Sequence, residues 1–175
     1  MKQKGFVLIV SLIFLVLMTM LGLAMFSGFI TNQMIAGNHR EKSRAFDAAQ
    51  TAMNYGEYWL SQPGNVVTGA GTPISGTTCS SMTTTPQVCS NALSNPTVLP
   101  WTAGVNYTPS GMSTSGGQDT YATNPTYYIQ YLGQQATAVS LYQVTTAGQG
   151  GNVNSVAVLQ SVYQITVQTT NLGGA

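Results

Sequence analysis

Charge is what this sequence has least of. Five Lys/Arg and four Asp/Glu side chains serve 175 residues. Eight of those nine charges lie between Lys2 and Glu57, which leaves Asp119 alone in everything that follows. With no cation after Arg44, the C-terminal head has nothing with which to neutralise phosphates, so no nucleic-acid binding is expected from it. Histidine is equally scarce, with His39 the one example. No Ser/His/Asp, Cys/His or paired-carboxylate set can be assembled in the head, and the chain is expected to be neither an enzyme nor a cofactor carrier. Asp119, within Gly116-Gly117-Gln118-Asp119-Thr120, reads as a turn, because one carboxylate is a poor calcium site. A head this neutral must stay soluble through Ser, Thr, Asn, Gln and Gly, or be covered by neighbours.

Cysteine is limited to Cys79 and Cys89, which enclose nine residues in a Ser/Thr-rich segment. Two unrelated thiols or half a metal site are the competing readings. Zinc has no ligand set here, since no other Cys exists and no His follows His39, so no metal is expected. A pair this close in a polar loop reads as a disulfide, which implies an oxidising compartment. A loop of that size adds about 2–3 kcal/mol.

What the chain does have is a hydrophobic run, Phe6 to Ile30, without one charged side chain. Roughly 20 apolar residues at about 1.5 Å each cross a bilayer core as a helix, so this segment is long enough to span. It also exceeds the ~7–15 apolar residues of a secretory signal peptide. Lys2 and Lys4 precede it, while Arg40, Lys42 and Arg44 follow it, so the flanking cations do not decide orientation. The helical pattern then continues. Met34, Ala45, Ala48, Ala49, Ala52, Met53 and Leu60 recur mostly at spacings of three, four and seven, as a stripe for packing on a sheet or helix. Glu41, Arg44 and Asp47 lie on the opposite side with alternating sign, as on an exposed face. The solvated reading extends to the whole cluster His39-Arg40-Glu41-Lys42-Ser43-Arg44. Pro63-Gly64 should stop the helix near Leu60. Taken from Phe6 it would be about 80 Å long, so half of it must serve something other than the head.

Residues 61–125 are dominated by Ser, Thr, Gly, Pro and Asn, the composition of loop. Val66, Val67, Ile74, Val88, Leu93, Val98, Leu99, Trp101, Val105 and Tyr107 are scattered through them. With the disulfide they would pin an irregular lobe containing one or two short strands. Residues 126–175 alternate instead. Tyr127, Ile129 and Tyr131 make one run, Val139, Leu141 and Gln143 begin a second, and Val156 to Val167 make a third. Ala147-Gly148-Gln149-Gly150-Gly151-Asn152 is the hairpin loop signal between the last two. The expected fold is α+β, with a long N-terminal helix packed on an antiparallel sheet of three or four strands. One sheet face would cover the helix stripe and the other would be wet. Tyr121, Tyr127, Tyr128, Tyr131 and Tyr142 offer contacts to protein or glycan where they do not belong to the core.

Lys4-Gly5-Phe6, leading directly into the apolar helix, resembles the type III signal sequence of type IV pilins. Ala36-Gly37-Asn38-His39-Arg40 and Ala45-Phe46-Asp47-Ala48-Ala49-Gln50-Thr51-Ala52 are similar to the amino-terminal domain of PilX-type minor pilins. Val156-Ala157-Val158-Leu159-Gln160-Ser161-Val162-Tyr163 resembles their closing strand. The resemblance covers the first sixty residues and the last twenty, with the middle unmatched. It implies a pilin-like fold in five parts: leader 1–5, membrane and filament-core helix 6–30, amphipathic helix 31–60, disulfide-tied lobe 61–125 and sheet 126–175. It also implies cleavage by a prepilin peptidase between Gly5 and Phe6, with N-methylation of Phe6.

One departure carries information. Most pilins have Glu at the fifth mature position, here Val10, where it is thought to pair with a neighbour's amino terminus. A carboxylate without that partner is costly in hydrocarbon, so its absence fits a subunit with none above it. Gln50 also replaces a frequent Glu, for which the residues give no account. Gly22 and Gly28 permit close helix approach, or are ordinary membrane-helix usage. The implied protein is a minor pilin that primes type IV pilus assembly and stays in the tip complex. Its partners would be other minor pilins and the major pilin, through the helix, and a PilY-class tip adhesin. It would sit in the inner membrane, head in the periplasm, and then move to the extracellular tip. A minor pseudopilin of a type II secretion system and a membrane-anchored surface binder are the alternative readings.

Overall fold

The computed structural model describes residues 4–62, 64–68, 72–117, 119–136 and 139–166. Met1–Gln3, Pro63, Gln118 and Val167, all used in the sequence reading, lie outside them. Helix α1 spans Lys4–Ser61. Strands follow at Met82–Thr83 (β1), Val88–Cys89 (β2), Gly104–Asn106 (β3), Thr126–Ala136 (β4), Val139–Gln149 (β5) and Val156–Thr166 (β6). The chain divides into two units, residues 1–40 and 41–175. In the first, the described residues are helix, and every large hydrophobic from Phe6 to Ile35 is exposed.

In the second unit, Ala45, Ala48, Ala49, Ala52, Met53 and Leu60 are buried, as the stripe requires. Met34 belongs to the first unit and is exposed. Ser61 Oγ donates to Tyr58 O and Asn65 Nδ2 to Trp59 O, so side chains satisfy carbonyls that the helix end leaves open.

The sheet is mixed and six-stranded, with β1-β3-β4-β5-β6 in order and β2 off that path, paired with β4. Strands β4, β5 and β6 form the expected antiparallel meander. The lobe adds three short strands rather than one or two, and two of its pairings, β1 with β3 and β2 with β4, are parallel. Val88 and Cys89 register with Ile129 and Gln130, while Val105 and Asn106 register with Tyr127 and Thr126. Two separate pieces of the lobe thus share one edge of β4.

The hairpin loop is shorter than the glycine-rich signal implied. Ala147, Gly148 and Gln149 are strand, paired with Val158, Ala157 and Val156. The reason is packing rather than turning. A methyl on Gly148 would collide with Ala45 O and Ala49 N and lie 2.9 Å from Ala48 Cβ. Only a bare backbone fits where the alanine face of α1 meets β5. Two-residue alternation places Gly148, Thr146, Val144 and Tyr142 on the helix side, and they enlarge in that order toward Leu60. All three side-chain-bearing members are fully buried.

The other sheet face is not simply wet. Tyr128 and Ala147 are buried under Cys79, Cys89, Trp101 and Ala103, a second core supplied by the lobe. The lobe covers one end of the sheet, and Val162 on β6 remains 60% exposed. Tyr127, Tyr128 and Tyr142 are therefore core residues, not contact surface. Tyr55 stacks on Tyr107 at 4.3 Å between centroids, and both meet the Tyr127 ring edge-on. The one proton of the Tyr142 hydroxyl is shared between Val66 O (3.0 Å) and Ile74 O (3.1 Å), fastening the start of the lobe to the sheet.

Burial pushes the Tyr142 hydroxyl up to about 12, and the neighbouring Tyr131 adds to the rise. Burial likewise drives Tyr127 upward, with Tyr55 and Tyr107 contributing. A phenol whose folded pKa exceeds the unfolded value of about 10 keeps its full contribution below that pH. The contribution is lost as pH rises through the folded value. Equilibrium unfolding followed by tyrosinate absorbance should therefore show stability falling from pH about 10 upward. Tyr142→Phe should weaken that slope while costing about 1–3 kcal/mol at neutral pH, because Ile74 O loses its donor, whereas Val66 O keeps Ile74 N. Gly148→Ala should cost about 1–3 kcal/mol in denaturant titrations. Gly22→Ala, whose methyl meets nothing within 4 Å, should leave the head's unfolding unchanged.

Candidate functional site

Three regions hold the residues that the sequence singled out. The first is the apolar end. The backbone of Gly5 and Phe6 lies in the first turns of α1, Phe6 is exposed, and no acidic side chain occupies the first turn. Val10 is also exposed, in a face of Val, Leu, Ile and Phe. The helix over Phe6–Ser61 contains an apolar window long enough to cross a membrane by length and composition, and none of that window is buried within the chain itself. An apolar surface that size in water marks a membrane or protein contact. Lipid tails or other apolar helices are the environments that satisfy it, since the backbone polar groups beyond the first turn are paired inside the helix.

The second region is the charged cluster after the apolar run, and here the structure corrects the solvated-face reading. Arg44 is a junction rather than a free cation. Its Nη1 meets Glu41 Oε1 at 3.1 Å, and its Nη2 donates to Asp119 O (2.7 Å) and Thr120 O (2.6 Å). The guanidinium also stacks over Tyr121, 4.6 Å from the ring centroid. Glu41 Oε2 accepts from Gly151 N, and Lys42 Nζ donates to Val156 O. Charge-assisted bonds to backbone are among the stronger kind. One turn of α1 thus grips both ends of the β5–β6 loop and the 119–121 turn. Ala122 N to Gly150 O, at 2.7 Å, joins those two loops to each other. Asp47 alone of the three alternating charges is exposed as expected.

The third region is the lobe. Cys79 and Cys89 form a disulfide with Cα atoms 5.4 Å apart. The sequence reading missed the side chain that works beside it. Asn91 accepts from Cys79 N (2.8 Å) and donates to Cys79 O (3.0 Å), standing in for a paired strand. Tyr128 then donates to Asn91 O at 2.9 Å, and Trp101 Nε1 to Pro96 O at 2.9 Å. No periodicity marks these partners. Asp119 sits at φ 69°, in the turn that Arg44 holds. Among the described residues no group of three His, Cys, Asp or Glu could hold a metal ion.

A membrane-length apolar helix, and a head in which α1 lies on a sheet closed by a disulfide-tied lobe, define the type IV pilin-like class. The chain belongs to the PilX family of type IV pilus assembly proteins, minor pilins. It matches the PilX N-terminal model over residues 4–54 and the type IV pilus assembly protein PilX C-terminal model over residues 85–165. The second match reaches well into the middle that the sequence resemblance left unassigned. Comparison with curated proteins and with solved structures returns no significant match.

Arg44→Lys keeps the charge but loses the planar fork and the stacking. Hydrogen exchange should then quicken at Tyr121 and Ala122, whose amides bond to Ser113 O and Gly150 O, with exchange in β4 unchanged. The head should lose about 1–2 kcal/mol.

Proposed function

We propose that this minor pilin primes type IV pilus assembly and remains in the tip complex. The observation that carries the reading is the uncharged face from Phe6 to Ile30, with Val10 where most pilins have an acid. A helix with no carboxylate needs no cationic neighbour above it in hydrocarbon, so it can lead an assembly. The same apolar face packs against lipid before assembly and against other pilin helices after it. Prepilin peptidase cuts between Gly5 and Phe6 and methylates Phe6. The head then lies in the periplasm, in keeping with its disulfide, and later at the extracellular tip. Other minor pilins and the major pilin meet the helix, and a PilY-class adhesin meets the head.

Mass spectrometry of the mature amino terminus should find N-methylated Phe6, and retention of Met1 would overturn the processing step. Deletion should reduce pilus number and strip the tip of its adhesin. Loss of enzyme secretion with normal pili would instead place the chain in a secretion pseudopilus. Val10→Glu should lower pilus number by placing a carboxylate where no partner answers it, measured by counting pili in sheared fractions. Unchanged piliation would sink the leading-subunit role.

A further inference from the structure

The head has a trough that the assembly role does not use. Its volume is about 560 Å³, within the ordinary range for ligand sites. Leu99, Pro100 and Trp101 form an apolar floor, and Asn106, Asn124 and Gln149 stand on the walls. A second hollow of about 590 Å³ shares Leu99, Pro100, Thr123 and Gln149 and continues to Val153 and Val156, which makes the depression elongated. Among the described residues, no titratable side chain lines either part.

From this lining we infer that the trough binds a neutral glycan. An anionic ligand such as a phosphate or sialic acid would surrender its hydration with no cation in return. A wholly apolar ligand would bury the wall amides without partners. A sugar ring meets both demands, since its C–H faces suit the floor while its hydroxyls each donate and accept. A carboxamide offers two donors and an acceptor to such a pair of hydroxyls. The walls are also set in advance. Asn124 Nδ2 donates to Thr108 Oγ1 at 3.1 Å, Thr123 Oγ1 donates to Gln149 Oε1 at 2.8 Å, and Gln149 Nε2 donates to Val153 O at 3.3 Å. Among the described residues, Asn124 Oδ1 and the exposed Asn106 amide have no protein partner and remain available to a ligand. A peptide in β conformation is recognised along a strand edge. The sheet's long open edge is β6, whereas the trough presents side-chain amides and hydroxyls.

The test uses the full-length protein in zwitterionic micelles, because sugar-headed detergents would compete. An array of neutral glycans is followed by calorimetric titration with triacetylchitotriose, mannotriose, lactose and sialyllactose, and with an uncharged Ser/Thr/Gly peptide. At least one neutral oligosaccharide should bind. Asn106→Ala combined with Asn124→Ala should weaken it about tenfold or more, with the unfolding midpoint little changed, because Asn106 is exposed and half-buried Asn124 gives up only its exposed bond to Thr108. Sialylation should bring no gain over lactose. The inference is overturned if no neutral glycan binds, if the double variant binds as well as the parent, if sialyllactose binds tighter than lactose, or if only the peptide binds.

Discussion

The head depends on how closely α1 approaches β5. Alanines at 45, 48 and 49 meet a glycine at 148, so helix backbone and strand backbone come together with almost no side chain between them. That contact fixes which face of β5 points inward. Because side chains alternate, it therefore sets Thr146, Val144 and Tyr142 against the helix as well. From β5 the register passes outward to β4 and β6, and from Tyr142 to the first segment of the lobe. A larger residue at the meeting point would push the helix away from the whole sheet.

The same approach explains how so few charges suffice. Glu41, Lys42 and Arg44 sit one turn before Ala45, where the helix passes the β5–β6 loop and the 119–121 turn. Gly151 N, Asp119 O, Thr120 O and the carbonyl of Val156 at the start of β6 take charged partners there. Beyond that turn the head carries only Asp47, Glu57 and Asp119, and it is held by apolar burial, tyrosine hydroxyls and the disulfide. A head of that kind carries little electrostatic repulsion toward crowded neighbours, as suits a subunit of an assembly. It also leaves recognition to amides, hydroxyls and aromatic faces.

Much of this was legible in the residues. The apolar run, the alanine stripe, the end of α1, the disulfide pair and the three alternating strands all follow from local periodicity or spacing, which the chain carries in consecutive residues. The family was readable from the Gly5-Phe6 junction and the stretches around residues 36–52. The errors share one cause. Gly148 was read as loop because glycine signals a turn when only its neighbours in sequence are considered, whereas its reason lies about a hundred residues away in α1. Arg44 reads as solvated in the sequence because its partners, Asp119 and Thr120, are 75 and 76 positions distant. Which of the five tyrosines belong to the core stays open in the sequence, because the lobe that covers Tyr128 has no periodic pattern of its own.

The sequence by itself determined that a membrane-length apolar helix precedes an uncharged, disulfide-bearing head with a helix stripe and a meander, since hydropathy, charge and periodicity are properties of neighbouring residues. Only the tertiary structure decided that the lobe completes the sheet along β4, that the cationic turn clasps two loops, and that the amides at 106, 124 and 149 line one trough. Those are meetings between segments that share no local signal, and they exist only because packing α1 on β5 brings the distant parts of the chain within reach.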